Sequence, residues 1–217
     1  MEYNGEYPED EDIPWPPYHP NCNGIGYYDL TDNPDDIKDL ELDDDEKEEW
    51  LIRYAGIIKN DIAAGEGVNV SFFTQGCPFK CKGCHNPQTW AFDGGKEFSP
   101  AVLEELINAL TANGIQRNLS IMGGEPLCEE NIFLVSLIVL SVREAFPHIK
   151  IYVWTGYTYE ELEARSQLEP KIKTILDNID YLIDGPFILE ERDITLAMRG
   201  SRNQRILDMK ELRNNEY

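Results

Sequence analysis

The amino-acid sequence predicts an α/β fold with mostly parallel strands, arranged as an open, partial (β/α) barrel. Three observations lead there. Short apolar runs and helical stretches alternate from residue 68 to residue 187, as parallel strands joined by right-handed crossovers require. Each expected strand runs into a loop that carries cysteine or glycine. Only four or five strands can be counted, too few for a closed eight-stranded barrel of about 250 residues.

Taken in order, VNVSFFTQ (68–75) alternates in polarity and is β-branched and aromatic, so it reads as a strand ending at the first of three clustered cysteines. FSPAVLEELINALTANG (98–114) reads as a helix with Ser99 as N-cap, Pro100 at its first position and Gly114 as its stop. NLSIMGG (118–124) is a second strand, closed by two glycines. Residues 131–146 are strongly apolar and helical, ending before Pro147. IKIYVWTG (149–156) is a third strand, residues 159–178 a helical region broken near Pro170, and YLIDGPF (181–187) a fourth strand. Ligands in parallel α/β folds gather at the carboxyl ends of the strands. The cysteines, Gly123-Gly124, Thr155-Gly156 and Asp184-Gly185 are therefore expected on one rim.

Charge divides the chain. The 217 residues carry a net charge of −22, and residues 1–50 hold 18 acidic residues against two lysines. We read 1–50 as an acidic, Pro/Gly-rich extension, partly disordered, with a short helix near Asp43–Trp50, and 51–217 as the functional domain. The extension has a second reading as a docking arm anchored by Trp15, Tyr18 and the run from Ile25 to Leu30. His19 and Cys22 within it could form half a metal site. So acidic a chain would be repelled by nucleic acid. It has neither an apolar run of about 18 residues to span a membrane nor a secretory leader. The expected location is the reducing cytoplasm, where clustered cysteines serve as metal ligands or redox groups rather than disulfides.

Those cysteines lie in QGCPFKCKGCHNPQTW (75–90), spaced C-x3-C-x2-C. Structural zinc wants four closed ligands. The candidates for a fourth are poor: His85 adjoins Cys84, and Cys128 stands alone beyond the second strand. A thioredoxin-like pair leaves Cys77 unexplained. A [4Fe–4S] cluster on three thiolates leaves one iron open to a ligand, and the spacing favours it. Cys128 reads as a small core or loop thiol.

The motif resembles the signature of radical S-adenosylmethionine enzymes, and IMGGEPL (121–127) resembles their Gly-Gly-Glu stretch. Within that superfamily, four segments are similar to the activating proteins of anaerobic (class III) ribonucleoside-triphosphate reductase. They are GCPFKCKGCHNPQTW, VWTGYTYEEL (153–162), YLIDGPF and RGSRNQRILD (199–208). Together they cover roughly residues 52–208; Met198 stands where the family often has tryptophan, and the extension has no counterpart in the compact family core.

The resemblance implies a partial barrel of the radical S-adenosylmethionine type and a cluster on Cys77, Cys81 and Cys84, with S-adenosylmethionine on the fourth iron. Reductive cleavage would give a 5′-deoxyadenosyl radical and then a glycyl radical on the partner reductase. The electron would come from a low-potential donor such as flavodoxin or ferredoxin. It implies further that Gly83, Cys84 and His85 face the adenine, that Gly123, Gly124 and Glu125 meet the methionyl ammonium, and that Thr155 and Gly156 touch the methionyl or ribose part. Trp90 and Trp154 read as core, and Asp184 as either a rim group or a turn residue. Arg199 and Arg205 are expected to meet an acidic partner or a cofactor carboxylate, and Arg202 to be solvated. The alternatives are an activase of the pyruvate formate-lyase type, a small-molecule radical enzyme making a deazaguanine intermediate, and, from another class, a non-catalytic zinc-binding module.

Overall fold

The computed structural model describes residues 52–215. The expected disorder of the extension, its helix, its aromatic anchors and the His19–Cys22 pair lie outside the described residues. In chain order the strands are β1 (Arg53–Asp61), β2 (Asn69–Thr74), β3 (Lys96–Glu97), β4 (Asn118–Gly123), β5 (Ile151–Trp154), β6 (Tyr181–Asp184) and β7 (Arg205–Asp208). The α-helices are α1 (Pro100–Thr111), α2 (Glu129–Ala145), α3 (Tyr159–Ser166), α4 (Pro170–Asn178) and α5 (Met209–Asn215).

The strands form one open sheet in the order β3-β1-β2-β4-β5-β6-β7. The four anticipated strands are its parallel centre, with Phe72 beside Ile121, Ile121 beside Val153 and Val153 beside Leu182. The remaining pairings, β1 with β2, β1 with β3 and β6 with β7, are antiparallel. Among the described residues seven strands therefore replace the expected four or five, and "mostly parallel" describes only the middle of the sheet. β1 carries little signal of its own because its second half, Ile58-Lys59-Asn60, is exposed and increasingly polar. β7 is four residues inside an arginine-rich stretch.

Alternation along the strands assigns the two faces. Val70, Phe72, Leu119, Ile121, Ile151, Val153 and Leu182 are fully buried in the apolar core with inner residues of the helices, among them Leu106, Leu134, Ile138 and Ile175. The other parity, including Ser71, Ser120 and Tyr152, is buried too. There the loop after β1 folds against the sheet: Ser120 Oγ donates to Ala64 O at 2.6 Å, and Ser71 Oγ to Asp61 Oδ2 at 2.7 Å.

Local signals behave as chemistry dictates, with one exception. Ser99 is extended ahead of Pro100, yet its side chain makes no cap bond; its carbonyl accepts from Val102 N at 2.9 Å. Beyond the last turn of α1, Asn113 and Gly114 are left-handed. Buried Arg117 gathers the carbonyls of Ala109, Ala112 and Ile115 there, a satisfaction of helix-end acceptors that no local pattern announced. α3 opens with a capping box between Thr158 and Glu161. Among the described residues, no helix is long and apolar enough to cross a membrane.

Candidate functional site

β2 ends at Thr74, and the cysteine loop that follows is closed at its neck by backbone bonds. Gly76 N donates to Thr89 O at 2.8 Å and Cys77 N to Trp90 O at 3.1 Å. The Gln75 amide, buried, reinforces the neck by donating to Gln88 O and Ala91 O. Within this ring the three thiols are held by N–H donors. Phe79 and Lys80 N–H act on Cys77, Phe187 N–H acts on Cys81, and Asn86 N donates to Cys84 Sγ at 3.3 Å. Burial pushes the Cys77 and Cys81 thiols above their ordinary range, partly offset by those donors. Metal binding would therefore expel thiol protons.

β4 delivers Gly123-Gly124-Glu125 beside that neck. Gly124 N donates to Thr74 O at 2.9 Å and Glu125 N to Gly76 O at 2.8 Å. The Asn131 amide ties both loops to α2 by donating to Gln75 O, Gly76 O and Glu125 O. The carboxylate of Glu125, 2% exposed, turns towards the end of β5. It accepts from Thr155 Oγ1 and Gly156 N, both at 2.7 Å, and from Leu127 N at 2.9 Å. Both carboxylate oxygens are thus engaged within the protein.

Burial pushes this carboxyl up to about 7 against the pull of its three donors. A carboxyl with a folded value above its unfolded one, about 4.3, stabilises the fold most at low pH, and that contribution fades as pH rises through the folded value. In metal-free protein, wild type is expected to lose about 2.5 kcal/mol relative to Glu125→Gln between about pH 5 and about pH 8. Urea unfolding of both proteins across that range measures it; parallel pH profiles would show that Glu125 does not titrate there.

The carboxyl ends of the strands enclose a cavity of about 460 Å³. Cys77, Cys81, Cys84, His85, Gly123, Gly124, Glu125, Thr155 and Gly156 all line it. Gly83 does not; it is left-handed and packs against the Leu189 side chain. Trp90 and Trp154, expected in the core, line the cavity instead. Trp154 shares its strand face with Tyr152, and its Nε1 donates to Met198 O at 2.7 Å. Lining residues that no sequence pattern announced include Asp61 at the end of β1, and Phe187, Leu196 and Met198 from the segment before β7.

Asp184 is neither a rim group nor a turn aspartate. Fully buried, it accepts from Tyr159 N at 2.8 Å and pairs with Arg205. Arg205 also grips Glu160 through both oxygens, at 2.9 and 2.7 Å, holding that carboxyl down at about 2. The expected ligand role of Arg205 thus gives way to a clamp between β6, β7 and α3. Arg202 is exposed and pairs with Asp193 at 3.1 Å.

The residues present fit an iron–sulfur cluster on three thiolates. Each thiol lines the cavity and has an N–H donor beside it, as a thiolate ligand needs. Cys128 supplies no fourth: its Sγ donates to Glu125 O at 3.1 Å in the core, and burial pushes it up to about 12. Among the described residues, no group of three or more His, Cys, Asp or Glu side chains is disposed to hold a single metal ion.

Comparison with known proteins agrees on an iron–sulfur cluster. Residues 63–207 match the family described as a 4Fe-4S single cluster domain. The chain is 36% identical over 154 residues to the anaerobic ribonucleoside-triphosphate reductase-activating protein of Haemophilus influenzae, covering 70% of this chain and 96% of that one. Its counterpart in Escherichia coli K12 is 37% identical over 145 residues, 66% of this chain and 90% of that one. The protein of the same name from enterobacteria phage T4 is 35% identical over 157 residues, 71% and 93% of the two chains. The chain belongs to the 4Fe-4S single cluster domain family and, within it, to the anaerobic ribonucleoside-triphosphate reductase-activating proteins.

Proposed function

We propose that this chain is an S-adenosylmethionine-dependent activase, a partial barrel of the radical S-adenosylmethionine type, that generates a glycyl radical on an anaerobic ribonucleoside-triphosphate reductase. The observation that carries the reading is a set of three cavity-lining thiols, with no fourth among the described residues, facing the Gly-Gly-Glu and Thr-Gly loops. A cubane held by Cys77, Cys81 and Cys84 has one iron without a protein ligand, which a chelating amino acid group can take. When bound, cluster and S-adenosylmethionine supply one-electron cleavage of a sulfonium bond and so a carbon radical that takes hydrogen from a glycine Cα.

The chain's own residues bind, orient and exclude. The closed neck from Gln75 to Ala91 holds the thiols, and N–H groups of Phe79, Lys80, Asn86 and Phe187 offset the negative charge of the thiolates. Gly123 and Gly124 line the cavity while packing tightly against the backbone of Phe73 and Gly76. Because the Glu125 carboxylate is already taken by Leu127, Thr155 and Gly156, we assign it the task of joining two rim loops, and give the ammonium to the carbonyls of the glycine pair. To His85, at the exposed edge of the cavity with its ring 6.3 Å from that of Phe187, we assign the cover of the adenine. Trp154, Phe187, Leu196 and Met198 form walls that keep water from a reactive radical.

The test is to reconstitute the protein anaerobically with iron and sulfide, reduce it, and mix it with S-adenosylmethionine and the cognate reductase. A glycyl doublet in the electron paramagnetic resonance spectrum, with release of methionine and 5′-deoxyadenosine, is expected. Cofactor cleavage with no doublet would move the substrate elsewhere, and stoichiometric zinc with no iron would end the reading.

A further inference from the structure

We propose that the indole N–H of Trp90 donates a hydrogen bond to an inorganic sulfide of the cluster and so eases the cluster's reduction. The inference rests on the iron–sulfur reading above and adds a tuning residue to it. Two tryptophans line the cavity, and the structure treats their donors differently. Trp154 Nε1 is spent on Met198 O at 2.7 Å. Trp90 Nε1 is buried and has no acceptor. A buried donor without a partner carries its desolvation penalty uncompensated, so the site favours a ligand that brings an acceptor.

The place of Trp90 in the cysteine loop says which ligand that is. Residues 86–90 form a short arc that touches two of the three cysteines. At its start Asn86 N donates to Cys84 Sγ at 3.3 Å, and at its end Trp90 O accepts from Cys77 N at 3.1 Å. Between them Pro87–Thr89 make a single tight turn. Thr89 N and Thr89 Oγ1 close it on Asn86 O, at 2.9 and 2.7 Å, and Trp90 N donates to Pro87 O at 3.3 Å. The Gln75 amide pins the next carbonyl, that of Ala91. The indole therefore hangs from a braced segment on the cysteine side of the cavity, whereas Trp154, Thr155 and Gly156 approach from the end of β5.

Elimination names the acceptor. Each thiol already has a backbone donor: Phe79 and Lys80 for Cys77, Phe187 for Cys81 and Asn86 for Cys84. A cubane also brings inorganic sulfides, which those bonds leave to be met from the cavity wall. Indole is a donor only, so it serves an electron-rich atom and cannot receive an ammonium. Taking up an electron makes the cluster one charge more negative. A fixed N–H donor stabilises that state more than the oxidised one, and hydrogen bonds to sulfur are among the features that set cluster potentials.

Redox titration of the reconstituted protein, without S-adenosylmethionine, tests the assignment. Trp90→Phe keeps an aromatic ring and removes the N–H. The equilibrium constant for reduction is expected to fall by about tenfold, or about 59 mV for one electron, with iron and sulfide content unchanged. A ring that only packs would leave the potential where it was. An unmoved potential overturns the proposal, and so does a shift that appears only once S-adenosylmethionine is added, which would give the donor to the cofactor. Should Trp90→Phe not hold its cluster, wild-type protein isotopically labelled at the indole nitrogen carries the test. After reduction it should show a nitrogen hyperfine coupling by pulsed electron paramagnetic resonance that persists in labelled Trp154→Phe; its absence overturns the proposal. A chain that takes up zinc and no iron overturns the proposed function and this inference with it, whereas a full cluster with an unmoved potential removes the donor alone.

Discussion

Replacing Cys81 by alanine is expected to strip the protein of its iron and sulfide while leaving the fold in place. The reason lies in how the loop is built. Its neck is closed by Gly76 N to Thr89 O and Cys77 N to Trp90 O, and reinforced by the Gln75 amide, with no contribution from any sulfur. Cys81 is only half-buried, and its thiol contributes little to the core. Metal-free wild type and Cys81→Ala should therefore unfold in urea within about 0.5 kcal/mol of each other. A cubane needs every thiolate it has, so iron should fall from about four per chain towards zero, taking the brown charge-transfer absorbance with it. No glycyl radical above the protein-free background should then form. Cys128→Ala supplies the contrast. That thiol is buried outside the cavity, so its loss should cost about 1 kcal/mol of stability with iron content intact. A Cys81→Ala protein that kept its cluster would require a ligand outside the three, and one that unfolded would make the thiol structural.

How much of this was legible beforehand depended on whether the deciding contact was local. The parallel centre could be read because each of its strands carries its own signal, apolar residues bounded by a turn. The order of events at the strand ends then placed the thiols, the glycine pair and Thr155 together without any knowledge of side-chain geometry. β1 and β7 could not be read that way. Their residues are held by pairing partners, such as Ile57 opposite Phe72 and Ile206 opposite Ile183, rather than by a pattern of their own. The tryptophans were misjudged for a related reason. In IYVW both parities are apolar, because one face meets the helices and the other meets the loop after β1 at Tyr152 and the cavity at Trp154, so alternation alone does not say which is which. Asp184 and Arg205 lie 21 positions apart; read singly, the first suggests a rim group or a turn residue and the second a ligand site, and neither suggests a buried pair. Glu125 shows the same limit inside a recognised motif: the sequence marks the residue, but only its donors reveal that the carboxylate faces the protein.

Gly124→Ala is expected to be severely damaging for a single added methyl. A Cβ at this position would overlap the carbonyl oxygen of Gly76, lying 2.9 Å from its carbon and 3.1 Å from Gly76 N. All three atoms are backbone, so no rotamer change can relieve the overlap; the two loops must separate. Separation acts on the Glu125 N to Gly76 O bond and on the bonds by which buried Asn131 ties Gln75, Gly76 and Glu125 together. Overpacking of this kind, with a buried backbone bond lost beside it, should cost about 3 to 5 kcal/mol, read as a lower urea midpoint in metal-free protein. The same displacement moves Cys77, the next residue, relative to the glycine pair, so iron occupancy should fall even where the fold survives. Two glycine substitutions calibrate the result. Gly156→Ala meets the ring of Phe79 at 2.7 Å, a side chain that can turn aside, and should be milder. Gly56→Ala in β1 has nothing within 4 Å of its new carbon and should be close to neutral. If Gly124→Ala matched Gly56→Ala in stability and iron content, the two loops would not be in contact, and the rim that unites the cysteines with the Gly-Gly-Glu stretch would have to be redrawn.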